Sequence, residues 1–218
     1  ERRRQLQSEI KSLKKSNSDI DFHSSQFDDY SIKNILLTED LVEFVKPIKE
    51  LKKRSCISKL QDFLDHEPSG KVFILYGLRR TGKTTLMKQA ILSLSEHALD
   101  KTAFIQLEPG DTLAEINSTL RALLKKNYKY VFIDEVTLAE DFIEGAALLS
   151  DIYAASGMKI VLSGTDSLGF VFSESEELYD RCIMLHTTYI PYGEFERVLG
   201  ITGIDEYIRY GGTMSLGG

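Results

Sequence analysis

Cysteine is nearly missing from this chain: Cys56 and Cys182 stand far apart and without metal-ligand spacing, so no disulfide framework is available and a reducing, cytoplasmic setting is expected. The four histidines are equally scattered, and no metal cluster is legible among them. No apolar run approaches the roughly 20 residues of a membrane-spanning helix, and no secretory leader is visible at the start, so no membrane partner is expected. Because Glu1 is not methionine, a true start upstream is expected. A basic excess is also lacking. Net charge is −6, unevenly spread: residues 1–59 carry 13 Lys and Arg against 10 Asp and Glu, while residues 60–218 are strongly acidic. An acidic body argues against a broad nucleic-acid footprint there, since phosphate contacts need clustered Lys and Arg. What remains is ordinary globular composition, 42% hydrophobic and 28% charged over 218 residues, enough for one large domain or a domain with an appendage.

Against these absences one stretch stands out. Gly77-Leu78-Arg79-Arg80-Thr81-Gly82-Lys83-Thr84 fits G-x-x-x-x-G-K-[ST] in full and follows the apolar run Val72–Tyr76, which reads as a buried parallel strand. A tight loop ending at a helix N-terminus surrounds phosphate oxygens with N–H donors and partial positive charge. Residues 77–85, through Thr85, are therefore the candidate ATP-binding segment. Lys83 would reach the β- and γ-phosphates, and the Thr84 hydroxyl would take one position on a Mg²⁺ bridging them. No N-K-x-D guanine-reading motif occurs, which favours adenine.

Around the loop, strands alternate with helices. Leu6, Ile10 and Leu13 predict a short basic amphipathic helix within residues 1–15, followed by a Ser/Asp/Asn-rich linker. A helix is expected from Thr38, kinked at Pro47 and continuing to Leu64, where Pro68-Ser69-Gly70 ends it; by analogy with other phosphate-loop proteins it would lie near the nucleotide base. Leu86, Met87, Ala90, Ile91 and Leu94 mark the helix after the loop. Further strands are expected at 102–107, 130–133, 159–162 and 181–185. A capping box at Thr112 and Glu115 opens one intervening helix, and a second runs roughly from Ala139 to Ala155. Right-handed crossovers then give an α/β fold, a parallel five-stranded sheet with helices on both faces, preceded by a helical N-terminal segment. The domain division is 1–69, arm and linker, and 70–218, core.

Strand C-termini carry the remaining chemistry. Asp134, ending an apolar strand, is the second candidate Mg²⁺ ligand, and Glu135 beside it can orient an attacking water, which points to hydrolysis. Ser163 and Thr165 either sense the γ-phosphate and hold that water or cap a turn. Arg181 either supplies a transition-state arginine or makes a plain salt bridge to Glu176, Glu177 or Asp180. Lys83, Glu135, Ser163 and Arg181 are thus the catalytic candidates.

With Phe132-Ile133-Asp134-Glu135, Leu162-Ser163-Gly164-Thr165-Asp166-Ser167, Tyr192-Gly193-Glu194-Phe195 and Tyr207-Ile208-Arg209-Tyr210-Gly211-Gly212 added to the loop, residues 70–212 resemble the prokaryotic AAA-type P-loop ATPases of the additional-strand class. The resemblance implies strand order 5-1-4-3-2, Mg²⁺-ATP as ligand, and a further C-terminal portion that this chain would stop short of. Where the group commonly has Gly-Arg before the fifth strand, this chain has Asp180-Arg181.

An ATP hydrolase is the first expectation, and a slowly hydrolysing switch or scaffold for protein or nucleic-acid partners the second. A small-molecule kinase fits less well, because the region after the fourth strand is acidic rather than an Arg-rich lid. The basic segments at 2–15 and 46–59 would serve homo-oligomerisation on the acidic body or contact with a protein or nucleic-acid partner.

Overall fold

Each apolar run read above becomes a strand, and its alternate side chains feed two separate cores. The computed structural model describes residues 30–66, 70–139, 141–165, 167–168 and 180–214; the basic segment 2–15 and the acidic stretch 173–177 lie outside the described residues. Strands are β1 (Ile35–Leu37), β2 (Val72–Gly77), β3 (Thr102–Gln106), β4 (Tyr130–Asp134), β5 (Lys159–Gly164) and β6 (Cys182–Thr187). They form one sheet in the order β1-β3-β4-β5-β2-β6. On one face Ile74, Ile105, Ile133, Ile160 and Leu162 meet helices α5 (Leu113–Lys125) and α6 (Phe142–Leu148), the latter running into a π-helical turn at Leu149–Ala154. On the other, Phe73, Leu75, Phe104, Phe132 and Val161 meet α1 (Thr38–Val45), α2 (Ile57–Asp65) and α3 (Lys83–Leu92). Strand alternation sends successive residues to opposite faces, and helices cover both, as a parallel sheet requires.

Two local readings come through in detail, and a glycine turn accompanies them. Pro47 sits at the start of a 3₁₀ turn, Lys46–Ile48, that breaks α1 from α2. Thr112 and Glu115 form the reciprocal capping box of α5. Gly157, at φ 89°, follows the helix that runs on from α6.

The sheet departs from the expectation in one respect: it is six-stranded and mixed, not five-stranded and parallel. β2 to β6 are parallel and follow the expected relative order, while β1 pairs antiparallel with β3, Ile35 opposite Ile105. A three-residue strand is too short to carry a periodic signal. Residues 35–65, grouped by the sequence with the arm and linker, hence supply an edge strand and core helices: Leu41, Val45 and Leu60 are fully buried. Lys159 anchors this segment from β5, its buried ammonium donating to the carbonyls of Phe63 (2.5 Å) and His66 at the end of α2. Among the described residues no helix is long and apolar enough to cross a membrane. Among the described residues two short helices, α7 (Tyr192–Leu199) and α8 (Ile204–Tyr210), follow β6, and α4 (Glu96–Leu99) precedes β3.

If β1 is part of the core, truncating it must cost stability. Ile35, 2% exposed, changed to Ala should lower the unfolding free energy by about 2–5 kcal/mol; urea melts indistinguishable from the parent would show that the strand does not contribute.

Candidate functional site

Parallel strands with right-handed crossovers bring their C-terminal ends to one edge, and β2 delivers the glycine loop there. The loop is built on conformations that L side chains avoid: φ is 146° at Gly77, 65° at Arg80 and 89° at Gly82. Gly77 is also pressed against β6, where a Cβ would overlap the Thr187 carbonyl and hydroxyl. The Thr187 hydroxyl donates to the Tyr76 carbonyl at 3.0 Å and meets the Thr81 hydroxyl at 2.9 Å, while Thr81 donates to the Leu78 carbonyl at 2.8 Å. Residues 77–81 are therefore held from below by the end of a neighbouring strand.

Lys83 opens α3 with its ammonium folded back onto the carbonyls of Gly77 and Leu78, both at 2.8 Å. Along with Arg79, Arg80, Gly82, Thr84, Thr85, Glu135 and Met214, it lines a cavity of ≈ 360 Å³. The first N–H groups of α3 have no intrahelical partner, so this cavity favours an anion.

Asp134 ends β4 with 1% of its surface exposed. One of its carboxylate oxygens accepts from the Thr84 hydroxyl at 2.6 Å and the other from the Ser163 hydroxyl at the end of β5. Ser163 in turn accepts the Glu135 N–H at 3.3 Å. Glu135 sits at φ 59°, so the chain turns sharply there, and the residue borders the cavity opposite the loop. Thr84, Asp134, Ser163 and Glu135 thus form one hydrogen-bonded series across α3, β4 and β5. A hydroxyl beside a carboxylate is the hard-oxygen pair a small divalent cation takes. One turn along α3, Lys88 lies 3.4 Å over the Phe44 ring; burial pushes its ammonium below its ordinary range, and the Asp134 carboxylate pulls it back.

Two of the expected residues fall elsewhere. Thr165 is not among the residues lining the cavity and pairs locally with Ser167, hydroxyl to hydroxyl at 2.8 Å. Arg181 precedes β6, whose parallel run puts its start at the opposite end of the sheet from the loop, about 17–20 Å away by strand rise. There its Nε pairs with Asp151 at 2.6 Å, so it is not among the groups that face this chain's cavity.

Three residues that the sequence did not flag join the site. Thr187 buttresses the loop, as described. Met214 crosses it, its N–H donating to the Arg80 carbonyl at 2.8 Å and its side chain resting on Gly82. Arg54, 5% exposed, reaches the loop from behind and bonds the Thr81 carbonyl at 2.9 Å and the Thr188 carbonyl at 3.2 Å. It draws the segment after the Pro47 turn against the phosphate loop. Glu194 on α7 faces Arg54; burial raises its carboxyl, but the Ser55 hydrogen bonds and the Arg54 and Arg197 guanidiniums outweigh this and hold it below the usual range.

Comparison with known proteins bears on the family and the fold. A family model described as AAA domain matches residues 69–196. No curated protein matches. Among solved structures, the Saccharomyces cerevisiae Hsp104–ADP complex is similar at TM-score 0.56 and 16% identity, over 78% of this chain and 27% of that one. The S. cerevisiae Hsp104–casein complex, in its extended conformation, is similar at TM-score 0.53 and 15% identity, over 82% of this chain and 34% of that one. At that identity the likeness is one of fold, and this chain spans about a third or less of the Hsp104 chain's length.

Gly77→Ala should destabilise the ligand-free protein by about 1–3 kcal/mol from backbone strain alone, with the Thr187 overlap adding to it; a thermal melt unchanged from the parent would contradict the close approach. Glu194 gives a pH dependence. Its carboxyl is depressed on folding, so its contribution is fully present above the unfolded value of roughly 4.3 and is lost as pH falls through the folded value. Glu194→Gln should therefore flatten the acid limb of the stability profile, which denaturant titrations at several pH values would measure.

Proposed function

The chain belongs to the AAA domain family, and we propose that it binds Mg²⁺-ATP on residues 77–85 and hydrolyses the γ-phosphate bond. The observation that carries the reading is the hydrogen-bonded series Thr84–Asp134–Ser163–Glu135 at the mouth of the glycine loop. The ADP complex of Hsp104, a relative in fold, supports the nucleotide part.

The residues fit the ligand. Gly77 and Gly82 let the loop take up positive φ with Thr187 and Met214 packed against it, and a loop of that shape can turn its backbone N–H groups toward polyphosphate oxygens. Thr84 and Asp134 would hold the Mg²⁺, which when bound neutralises charge on the β- and γ-phosphate oxygens. Lys83 leaves the Gly77 and Leu78 carbonyls for those oxygens, exchanging two neutral acceptors for anionic ones, a stronger bond. Glu135 accepts a proton from the attacking water as it adds in line to the γ-phosphorus, while the bond from that phosphorus to the β–γ bridging oxygen breaks and ADP leaves with the electron pair. Ser163 fixes the Glu135 backbone through its N–H and the Asp134 carboxylate through its own proton, so metal ligand and base are set by one hydroxyl. In this reading the catalytic core takes in residues 35–65 together with the described residues from 70 onward, the location is cytoplasmic, and the basic segment 2–15 is an interaction arm.

A second reading, a switch that binds ATP and turns it over slowly, is favoured by the position of Arg181. At the far end of the sheet, Arg181 does not bring to its own chain's cavity the contribution of about 10³–10⁵ that a transition-state arginine makes. Turnover per chain should then rise steeply with protein concentration if copies share sites, and stay low and flat for a switch.

Glu135→Gln should lower steady-state phosphate release by about 10²–10⁴ while a fluorescent ATP analogue still binds. Parent-like turnover in this variant would remove Glu135 from the mechanism, and loss of binding alongside turnover would make it structural.

A further inference from the structure

The mechanism leaves Arg54 without a role, yet it is a buried charge beside the loop, 5% exposed. An arginine buried to this degree is desolvated, and methionine would fill similar space without that cost. Its Nη1 bridges two carbonyls on different elements, Thr81 in the loop and Thr188 just past β6. Its Nε is buried without a hydrogen bond, 3.5 Å from the Glu194 carboxylate. Glu194 is itself held by the Ser55 N–H at 2.5 Å and by Arg197 at 3.1 Å, and Arg197 also bonds the Lys53 carbonyl at 2.8 Å. Two residues of α7 thus clamp the segment that carries Arg54.

We propose that Arg54 is a positioning residue for the nucleotide site, fixing the Thr81–Gly82 peptide so that the Gly82 N–H faces the bound phosphates, with Glu194 holding Arg54 in place. In a trans peptide the C=O and the N–H that follows point in opposite directions across one rigid plane, and the described residues contain no cis bond. Arg54 pulls the Thr81 carbonyl to the buried side of the loop. The Gly82 N–H is thereby directed to the other side, where Gly82 borders the cavity. Gly82, at φ 89°, has no Cβ to resist rotation of this plane, so the orientation must be imposed from outside the loop. Lysine would supply charge but not the planar donor fork, and it would satisfy one carbonyl poorly while leaving the other.

This inference rests on the nucleotide-binding reading, so the experiment has one arm with ligand and one without. Arg54→Met and Arg54→Lys are compared with the parent by thermal melting, by titration with a fluorescent ATP analogue, and by hydrogen exchange of the loop peptide 77–86 in ligand-free protein. Arg54→Met is expected to melt within a few degrees of the parent, to bind at least tenfold more weakly, and to exchange the loop amides at least tenfold faster, with strands β4 and β5 unchanged. Arg54→Lys should fall between, and it decides the matter if the methionine variant does not fold. Parent-like loop exchange in a folded variant overturns the proposal, as does parent-like affinity. Should the parent itself bind no analogue, the nucleotide reading fails by itself, while the exchange arm still shows whether Arg54 orders the loop.

Discussion

Burying a carboxylate at the end of a central strand is unfavourable unless both oxygens find donors, and in this fold the donors come from two other elements. Thr84 at the start of α3 and Ser163 at the end of β5 both reach Asp134. The strand order allows this because β5 lies between β4 and β2, so the loop that leaves β2 passes over β5 toward β4. Placing the loop, the acid and the serine on one edge requires the sheet to be parallel in these strands, and the parallel sheet in turn requires helices on both faces. The two cores are consequences of where that carboxylate has to be.

Much of this was legible because the signals are local. The glycine loop is a continuous motif, the Asp134-Glu135 pair follows a run of apolar residues, and Thr112 and Glu115 cap α5 within a single turn of chain. What escaped is long-range. Arg54 sits within the basic stretch 46–59 and looks like solvated charge; its burial comes from Thr188 and Glu194, well over a hundred residues downstream. Met214 has no motif around it, and only the return of the tail past Ile190 brings it over the loop, with the Ile190 N–H on the Gly212 carbonyl at 2.7 Å. Arg181 is a different case, for its distance from the loop was implicit in the sequence. A residue that begins a parallel strand lies at the end of the sheet that the loops at strand C-termini do not reach.

The loop itself combines rigidity with an adjustable surface. Thr187, Thr81 and Arg54 fix its underside through buried hydrogen bonds. Its upper side is held by exchangeable groups, the Lys83 ammonium and the Met214 backbone, which sit on carbonyls that need not keep them. A ligand that takes Lys83 away would free the Gly77 and Leu78 carbonyls, while Met214 rests on Gly82 beside them.

The small edge strand has a consequence in time. Ile35 is made about seventy residues before Ile105, the residue it pairs with, and at ribosomal rates of roughly 5–20 residues per second that is an interval of about 4–14 s. Throughout it, Ile35-Leu36-Leu37 is an apolar triplet with open backbone donors and acceptors. Its brevity is then protective: three residues offer too little ladder for a stray strand to hold, yet enough to close the β3 edge once the sheet has formed.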